Sequence, residues 1–266
     1  MSHFTIEMLS DQCGVTMPNL RAWQRYGLLK PARDASGKRY YDYSHLLRIQ
    51  LILKWLNEGV PVAEVSRLLK GEHATLSSQW ELYQEKLLSA LENPDTAKLR
   101  ALLRRFGREL PAAALLDNVI RPLRLWLREG VNATQLTRRA RFDTQLIEYA
   151  AFVLQGLRKR PADSLVMIPL NMTDPLDIWL EAIRFSAEGF RIDLLAEPVA
   201  QPDLDELQAE HYFLWSDAPL TPLQQVMYQH WQSEGRPLFT GGAGFSAPAQ
   251  AEAPVSEATT AISDAG

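Results

Sequence analysis

Leu20-Arg21-Ala22-Trp23-Gln24-Arg25-Tyr26-Gly27-Leu28-Leu29, with Arg39-Tyr40-Tyr41 ten residues further on, is the stretch that decides the fold of this chain. It reads as a short helix that stops at Gly27 and leads into a basic, aromatic hairpin. Leu20 belongs to a small core, while Arg21 and Arg25, four residues apart, share an outer face. Between Leu20 and Tyr41 stand Arg21, Arg25, Lys30, Arg33, Lys38 and Arg39 against a single acid, Asp34. The whole chain carries a net charge of −4. Such an island of positive charge is the footprint of a surface that meets nucleic acid.

Working outward, residues 1–72 read as four short helices and one hairpin. Thr5 caps a helix that buries Ile6 and Leu9 and ends near Gly14. Thr16 caps the second, with Pro18 accommodated in its first turn. Pro31 to Tyr41 is a turn-rich excursion whose Ala35-Ser36-Gly37 tip suits a hairpin loop. Ser44 is expected to cap a third helix with Leu47, Leu51 and Trp55 on its buried stripe, stopped by Asn57-Glu58-Gly59. A fourth, Val62 to Lys70, carries Val65, Leu68 and Leu69 at helical spacing.

Residues 74–159 read as helical, with breaks at Asn93-Pro94-Asp95, Leu110-Pro111 and Gly130-Val131-Asn132. Four segments with short connections predict an antiparallel helix bundle. Arg158-Lys159-Arg160-Pro161 is the expected linker. Beyond it, Ser164–Leu170, Arg191–Ala196, His211–Trp215 and Pro237–Thr240 are strand candidates. They alternate with helices from Asp174 to Gly189 and from Thr221 to Glu234, a pattern that predicts a small parallel α/β sheet over 161–246. Residues 247–266, rich in Ala, Pro, Ser, Thr and Glu, read as a disordered tail.

A chain of 266 residues that is 46% hydrophobic has ample material for several cores. Its lone Cys13 excludes an internal disulfide or a cysteine-based metal cluster within one chain. No run reaches the ~18 apolar residues of a membrane span, and the first residues lack an export signature; the expected address is cytoplasmic. The charge is unevenly spread. Residues 1–73 carry ten basic and seven acidic side chains, and 98–141 carry eleven and three. Beyond Arg160 only Arg184, Arg191 and Arg236 face sixteen acids. A basic head on an acidic body turns the head towards DNA and keeps the body off the phosphates.

A helix-turn-helix head presents short polar and basic groups of its second helix to the major groove while neighbouring elements clamp phosphates. Thr16, Asn19 and Arg21 lie in the first turns of that helix, and Arg25 extends their basic stripe. Arg33, Lys38, Arg39 and Tyr41 on the hairpin would grip the backbone, with salt-dependent affinity. Trp23 is expected to pack under the hairpin and position it, either with or without touching phosphate as well. The basic residues of 98–141 read as solvated helix faces or as partners of the acidic body, in preference to an extension of the DNA surface. Trp80, Trp126, Phe142 and Tyr149 read as core rather than as an effector pocket. No catalytic constellation stands out. His3, His45, His73, His211 and His230 miss metal-ligand spacings, no nucleophile elbow or Walker loop occurs, and Asp174 and Asp177 read as first-turn helix charges.

The spacing Gly14-Val15-Thr16-x-Pro18-Asn19-Leu20-Arg21-x-Trp23-x-Arg25-x-Gly27-Leu28-Leu29, then Arg33, Arg39 and Tyr41, resembles the winged-helix head of MerR-family transcription regulators. Gly59-Val60-Pro61-Val62-x-x-Val65 resembles the segment that opens the last helix of that head, and Arg21-Ala22-Trp23-Gln24 resembles the MlrA-like branch. The extra arginine that this branch often has before the tyrosine is absent here. The resemblance implies a helix that reads the major groove and a wing on the backbone, with Arg21, Trp23, Arg39 and Tyr41 at DNA-contact positions. As partners it implies double-stranded promoter DNA, a second copy of the chain as homodimer, and RNA polymerase, with no membrane.

The body resembles, more weakly, cobalamin-binding regulators, in which a helix bundle precedes an open α/β domain; Gly241-Gly242 is similar to a glycine pair there. The cobalt-ligand signature Asp-x-His-x-x-Gly is missing. After Leu170 the chain reads Asn171-Met172-Thr173-Asp174-Pro175-Leu176, and His211 opens a later strand. The expected fold is therefore multi-domain and mainly α: a winged helix-turn-helix (1–72), a bundle (74–159), and a degenerate Rossmann-like α/β domain (161–246) with no cofactor. The expected function is sequence-specific transcription regulation without enzyme activity. The alternative is a sensor whose C-terminal domain still holds a corrinoid or another small molecule.

Overall fold

A computed structural model describes residues 4–34, 36–70, 79–129, 132–158 and 161–246. Ala35 at the hairpin tip, Gly130-Val131, Lys159-Arg160 of the linker and the tail 247–266 lie outside the described residues.

In the head, α1 (Ile6–Cys13) starts on Thr5, whose Oγ1 accepts the Met8 amide at 3.3 Å, and closes on Gly14 in the left-handed region at φ +60°. α2 (Met17–Arg25) starts on Thr16, whose Oγ1 accepts the Asn19 amide at 3.3 Å. The wing is the antiparallel pair β1 (Ala32–Arg33) and β2 (Arg39–Tyr40). Asp34 closes its turn by accepting the amides of Ser36 and Lys38, each at 2.9 Å. Phe4 and Tyr41 exchange two backbone hydrogen bonds, 2.8 and 3.0 Å, which fasten the start of the chain to the wing.

α3 (Tyr43–Asn57) departs from expectation twice. Its cap is Asp42, not Ser44: Asp42 Oδ1 accepts the Ser44 amide at 3.0 Å, and the Asp42 amide donates to His45 Nδ1 at 3.1 Å. Hydrogen bonding, first of all from the Ser44 hydroxyl, holds the Asp42 carboxyl down at about 2. The buried stripe is Ile49, Ile52 and Leu56, whereas Leu47 and Leu51 are exposed. Apolar residues lie at helical spacing on both sides of α3, and the inward side is set by Leu9, Leu20 and Val60 of the same core. α4 (Val62–Leu68) completes the head.

The bundle comprises α5 (Trp80–Glu92), α6 (Ala97–Glu109), the run α7 (Ala112–Leu115) to α8 (Arg121–Glu129), and α9 (Ala133–Leu157). Between α7 and α8 the helix widens to a π-turn over Leu116–Ile120. Pro122 explains it. Without an N–H, proline cannot donate to the carbonyl four residues back, and Asn118 O instead accepts Gln84 Nε2 from α5 at 2.8 Å. One apolar core runs unbroken from Leu9 of the head through Phe106 and Phe142 of the bundle to Ile183 beyond it.

The body is a four-stranded parallel sheet, ordered β4 (Arg191–Leu194), β3 (Ser164–Asn171), β5 (His211–Ser216), β6 (Leu238–Gly241). Alternate residues of the central strands point to opposite faces. Leu165, Met167, Phe213 and Trp215 pack on α9 and on α10 (Pro175–Ala187); Val166, Ile168, Tyr212 and Leu214 pack on α11 (Leu204–Leu207) and α12 (Pro222–Ser233). With both faces covered, β3 reads as a continuous apolar run. A short α13 (Ala243–Ser246) ends the described chain.

Bundle and body are joined by charge, the second of the two roles expected for the bases of 98–141. Arg124 of α8 is buried; its Nε donates to Asp143 and its Nη2 to Asp174, both at 2.8 Å, and Nη1 lies 3.4 Å from Asp177. Burial alone would raise the Asp174 carboxyl, but Arg124 holds it below its usual value; Asp177 is raised, by burial and by Asp174 beside it.

Candidate nucleic-acid interface

The basic island of the sequence folds into one open groove of about 1010 Å³ between α1, α2 and the wing. Arg21, Gln24 and Arg25 form its α2 wall, Lys30 its floor, and Arg33, Lys38 and Arg39 its wing wall. The six cations are exposed. Arg33 braces the wing tip through Nη1 to Gly37 O at 3.0 Å. Arg21, Arg25, Lys30, Lys38 and Arg39 form no ion pair among the described residues. Tyr41 also lines the groove, but its ring is buried edge-on against His45 at 5.4 Å. Its hydroxyl accepts Gln24 Nε2 at 2.5 Å and keeps its own proton to donate. Lys30, counted in the basic island but given no contact of its own, and Gln24, three residues from Arg21 on the same helical face, join the predicted residues in this lining.

Three residues assigned to DNA contact from the sequence lie elsewhere. Asn19 and Trp23 are buried on the opposite side of α2, against the C-terminus of α6. Leu110 is held extended before Pro111, so α6 ends with carbonyls that have no intrahelical partner. Asn19 Nδ2 donates to three of these oxygens, Gly107 at 3.3 Å and Arg108 and Leu110 at 3.0 Å each. Trp23 Nε1 donates to Glu109 O at 3.2 Å. Helix α2 thus supplies the C-terminal cap of a bundle helix. Thr16 is consumed in capping α2, its hydroxyl also bonded to the Asn19 side chain. A second tie follows at the end of α2: the Tyr26 hydroxyl donates to the buried Glu109 carboxylate at 2.8 Å, and Arg105 Nε does so at 2.7 Å.

In an open α/β sheet a ligand sits outside the carboxyl ends of the strands where the strand order reverses; here that point lies between β3 and β5. Its polar groups are committed to one another. Asn171 Nδ2 donates to Ser216 Oγ at 2.9 Å and to Gln224 at 3.1 Å, and Asp217 accepts the Thr173 amide at 2.6 Å and the Trp215 indole at 2.7 Å. No imidazole is present there. His211 opens β5 at the other end of the sheet, with its ring stacked 5.8 Å from Phe239. This donor set does not fit a corrinoid. Among the described residues no cluster of His, Cys, Asp or Glu could hold a metal ion, and no helix is long and apolar enough to cross a membrane.

A short-helix head with a wing, carrying a cationic groove along its second helix, defines a DNA-binding transcription regulator. The chain matches the MerR HTH family regulatory protein over residues 4–72, the helical domain of transcriptional regulator MlrA over 80–155, and the C-terminal domain of that regulator over 163–238. It is 32% identical to the HTH-type transcriptional regulator MlrA of Escherichia coli (strain K12) over 243 residues, 91% of this chain and 100% of the relative. It is 23% identical to the HTH-type transcriptional repressor CarH of Myxococcus xanthus over 76% of this chain and 73% of that protein. A solved cobalamin-binding protein from Desulfitobacterium hafniense DCB-2 overlaps 62% of this chain and 84% of its own, at a TM-score of 0.27 and 13% identity. The chain belongs to the MerR family, in its MlrA group.

Proposed function

We propose that the protein reads promoter DNA with the groove between α2 and the wing. Arg21 and Arg25 enter the major groove, Arg33, Lys38 and Arg39 hold the flanking phosphates, and Lys30 and the Tyr41 hydroxyl extend the grip. The observation that carries this reading is the convergence of six exposed cations, none of them in an ion pair among the described residues, on one groove. A duplex supplies the missing counter-charge and releases its own condensed ions. Thr16, Asn19 and Trp23 act indirectly, by fixing the seat of α2.

In this reading residues 1–72 are the reading unit, 74–159 the seat and 161–246 the body. The protein acts in the cytoplasm as a homodimer, with one head on each half of an inverted repeat, contacts RNA polymerase there, and catalyses no reaction. The names of its relatives as transcriptional regulators support this role. For Arg21→Ala we expect about 1–3 kcal/mol less specific binding, with an unchanged melting temperature, since the side chain is exposed. Natural promoter affinity of that variant in a mobility-shift titration at fixed salt would refute the assignment.

A further inference from the structure

We propose that the cavity where α2, α6, α9 and α10 meet binds a small monoanionic molecule with an apolar body, such as an aromatic or medium-chain carboxylic acid. The cavity holds about 410 Å³, within the ~300–1,000 Å³ of ligand pockets. It is separate from the basic groove: Arg21 and Arg25 face the groove, whereas Pro18 and Asn19 face the cavity. It is also separate from the carboxyl edge of the sheet.

The lining selects the chemistry. Phe152 and Ile183 supply apolar wall, and Phe152, in the second half of a long packed helix, is left 48% exposed there. Arg104 lies over the Phe152 ring at 4.3 Å from its centroid, and Arg108 follows one turn later on the same helix. No Asp or Glu lines the cavity, and neither arginine forms an ion pair among the described residues. Tyr149 is more than nine-tenths buried, yet its hydroxyl has no hydrogen-bond partner among the described residues. That hydroxyl stands over Gly107, where a Cβ would lie only 1.7 Å from it, so glycine is needed to make room. Burial pushes the phenol up to about 12, which keeps it a donor. A carboxylate there would meet the unpartnered Tyr149 hydroxyl and two guanidinium groups, Arg104 and Arg108, that form no ion pair among the described residues, with its apolar part on Phe152 and Ile183.

The cavity wall includes Gly107 and Asn19, the residues whose mutual hydrogen bond seats α2 on α6. An occupant therefore bears on the position of the recognition helix. This transmission rests on the DNA-binding reading above; the binding step does not.

The test is a fluorescence titration of the full chain with 8-anilinonaphthalene-1-sulfonate, an apolar aromatic with one anionic group. One saturable site is expected, from which decanoate displaces the probe and decylamine does not. Gly156 lines the cavity and a Cβ there meets nothing within 4 Å, so Gly156→Leu adds bulk at the cavity wall from a position where a side chain can start freely. It should weaken the probe at least about tenfold and leave the melting temperature unchanged or raised. Tyr149→Phe should weaken it roughly threefold to tenfold. Non-saturable binding, undiminished binding to Gly156→Leu, or displacement by decylamine as effective as by decanoate would overturn the proposal. A shift of the mobility-shift midpoint by decanoate supports the transmission step, and an unmoved midpoint with saturable probe binding overturns that step alone.

Discussion

Both sides of α2 carry hydrogen-bonding side chains, and the two sides use them in opposite ways. On the outer side Arg21, Gln24 and Arg25 face an open groove whose cations form no ion pair among the described residues. On the inner side Asn19, Leu20, Ala22 and Trp23 are buried, and the polar atoms among them end on carbonyl oxygens of α6. A nine-residue helix is too short to hold itself in water. Its geometry must come from the inner side, which leaves the outer side free for a ligand. Whether a polar residue serves architecture or recognition is decided by what the neighbouring element lacks. Helix α6 lacks donors, and Asn19 and Trp23 provide them.

The largest expected break of this division is Trp23→Ala. It deletes a fully buried indole and the Nε1 hydrogen bond to Glu109, which should cost about 3–5 kcal/mol in denaturant unfolding. Because the head core continues into the bundle, the loss should appear as a lower midpoint for head and bundle together. A separate early melt of the head alone would show that the two are not one cooperative unit. Asn19→Ala comes next. It leaves the carbonyls of Gly107, Arg108 and Leu110 without their side-chain donor, at a cost of about 1–3 kcal/mol. The salt dependence of DNA binding should stay as it was, because no phosphate contact is removed.

The outer side should respond in the reverse sense. Lys38→Ala combined with Arg39→Ala should flatten the slope of log affinity against log salt by about 2, near 0.9 per phosphate contact. Both residues are exposed, so stability should move by less than about 0.5 kcal/mol. If Asn19→Ala flattened that slope as much as the wing pair did, the separation of reading and seating faces would be wrong.

What could be read in the sequence follows the range of the interactions. The Thr5 and Thr16 caps, the stop at Gly14, Asp174-Pro175 as a helix start and the apolar run of β3 are local, and each is where its own residues place it. The inward face of α3 was not legible, because Leu47 and Leu51 fit a helical stripe as well as Ile49, Ile52 and Leu56 do; the packing partners that break the tie lie far away in the chain. Asn19 and Trp23 meet their acceptors 86 to 91 positions away, so nothing near them marks an inward role. The available clue was on the other partner: a helix stopped at Leu110-Pro111 leaves orphan carbonyls that some donor must satisfy. For Arg124 the sequence allowed either a solvated face or an acidic partner, and only the fold brings Asp143 and Asp174 to it.

Tyr41 belongs to both sides and gives the finest test. Its ring is buried and packs on His45, while its hydroxyl reaches the groove as acceptor for Gln24. Burial raises the phenol above its ordinary value, so at neutral pH the hydroxyl is a neutral donor. Tyr41→Phe keeps the ring and should leave the fold intact. It removes one neutral hydrogen bond to DNA and frees Gln24 to move, for a loss of about 0.5–1.5 kcal/mol in affinity. Because no charge is lost, the salt slope should not change, unlike that of the wing pair. A flattened slope in Tyr41→Phe would mean that the hydroxyl positions a cation rather than touching DNA itself, and Arg39, two residues away in the wing, would be the first to examine.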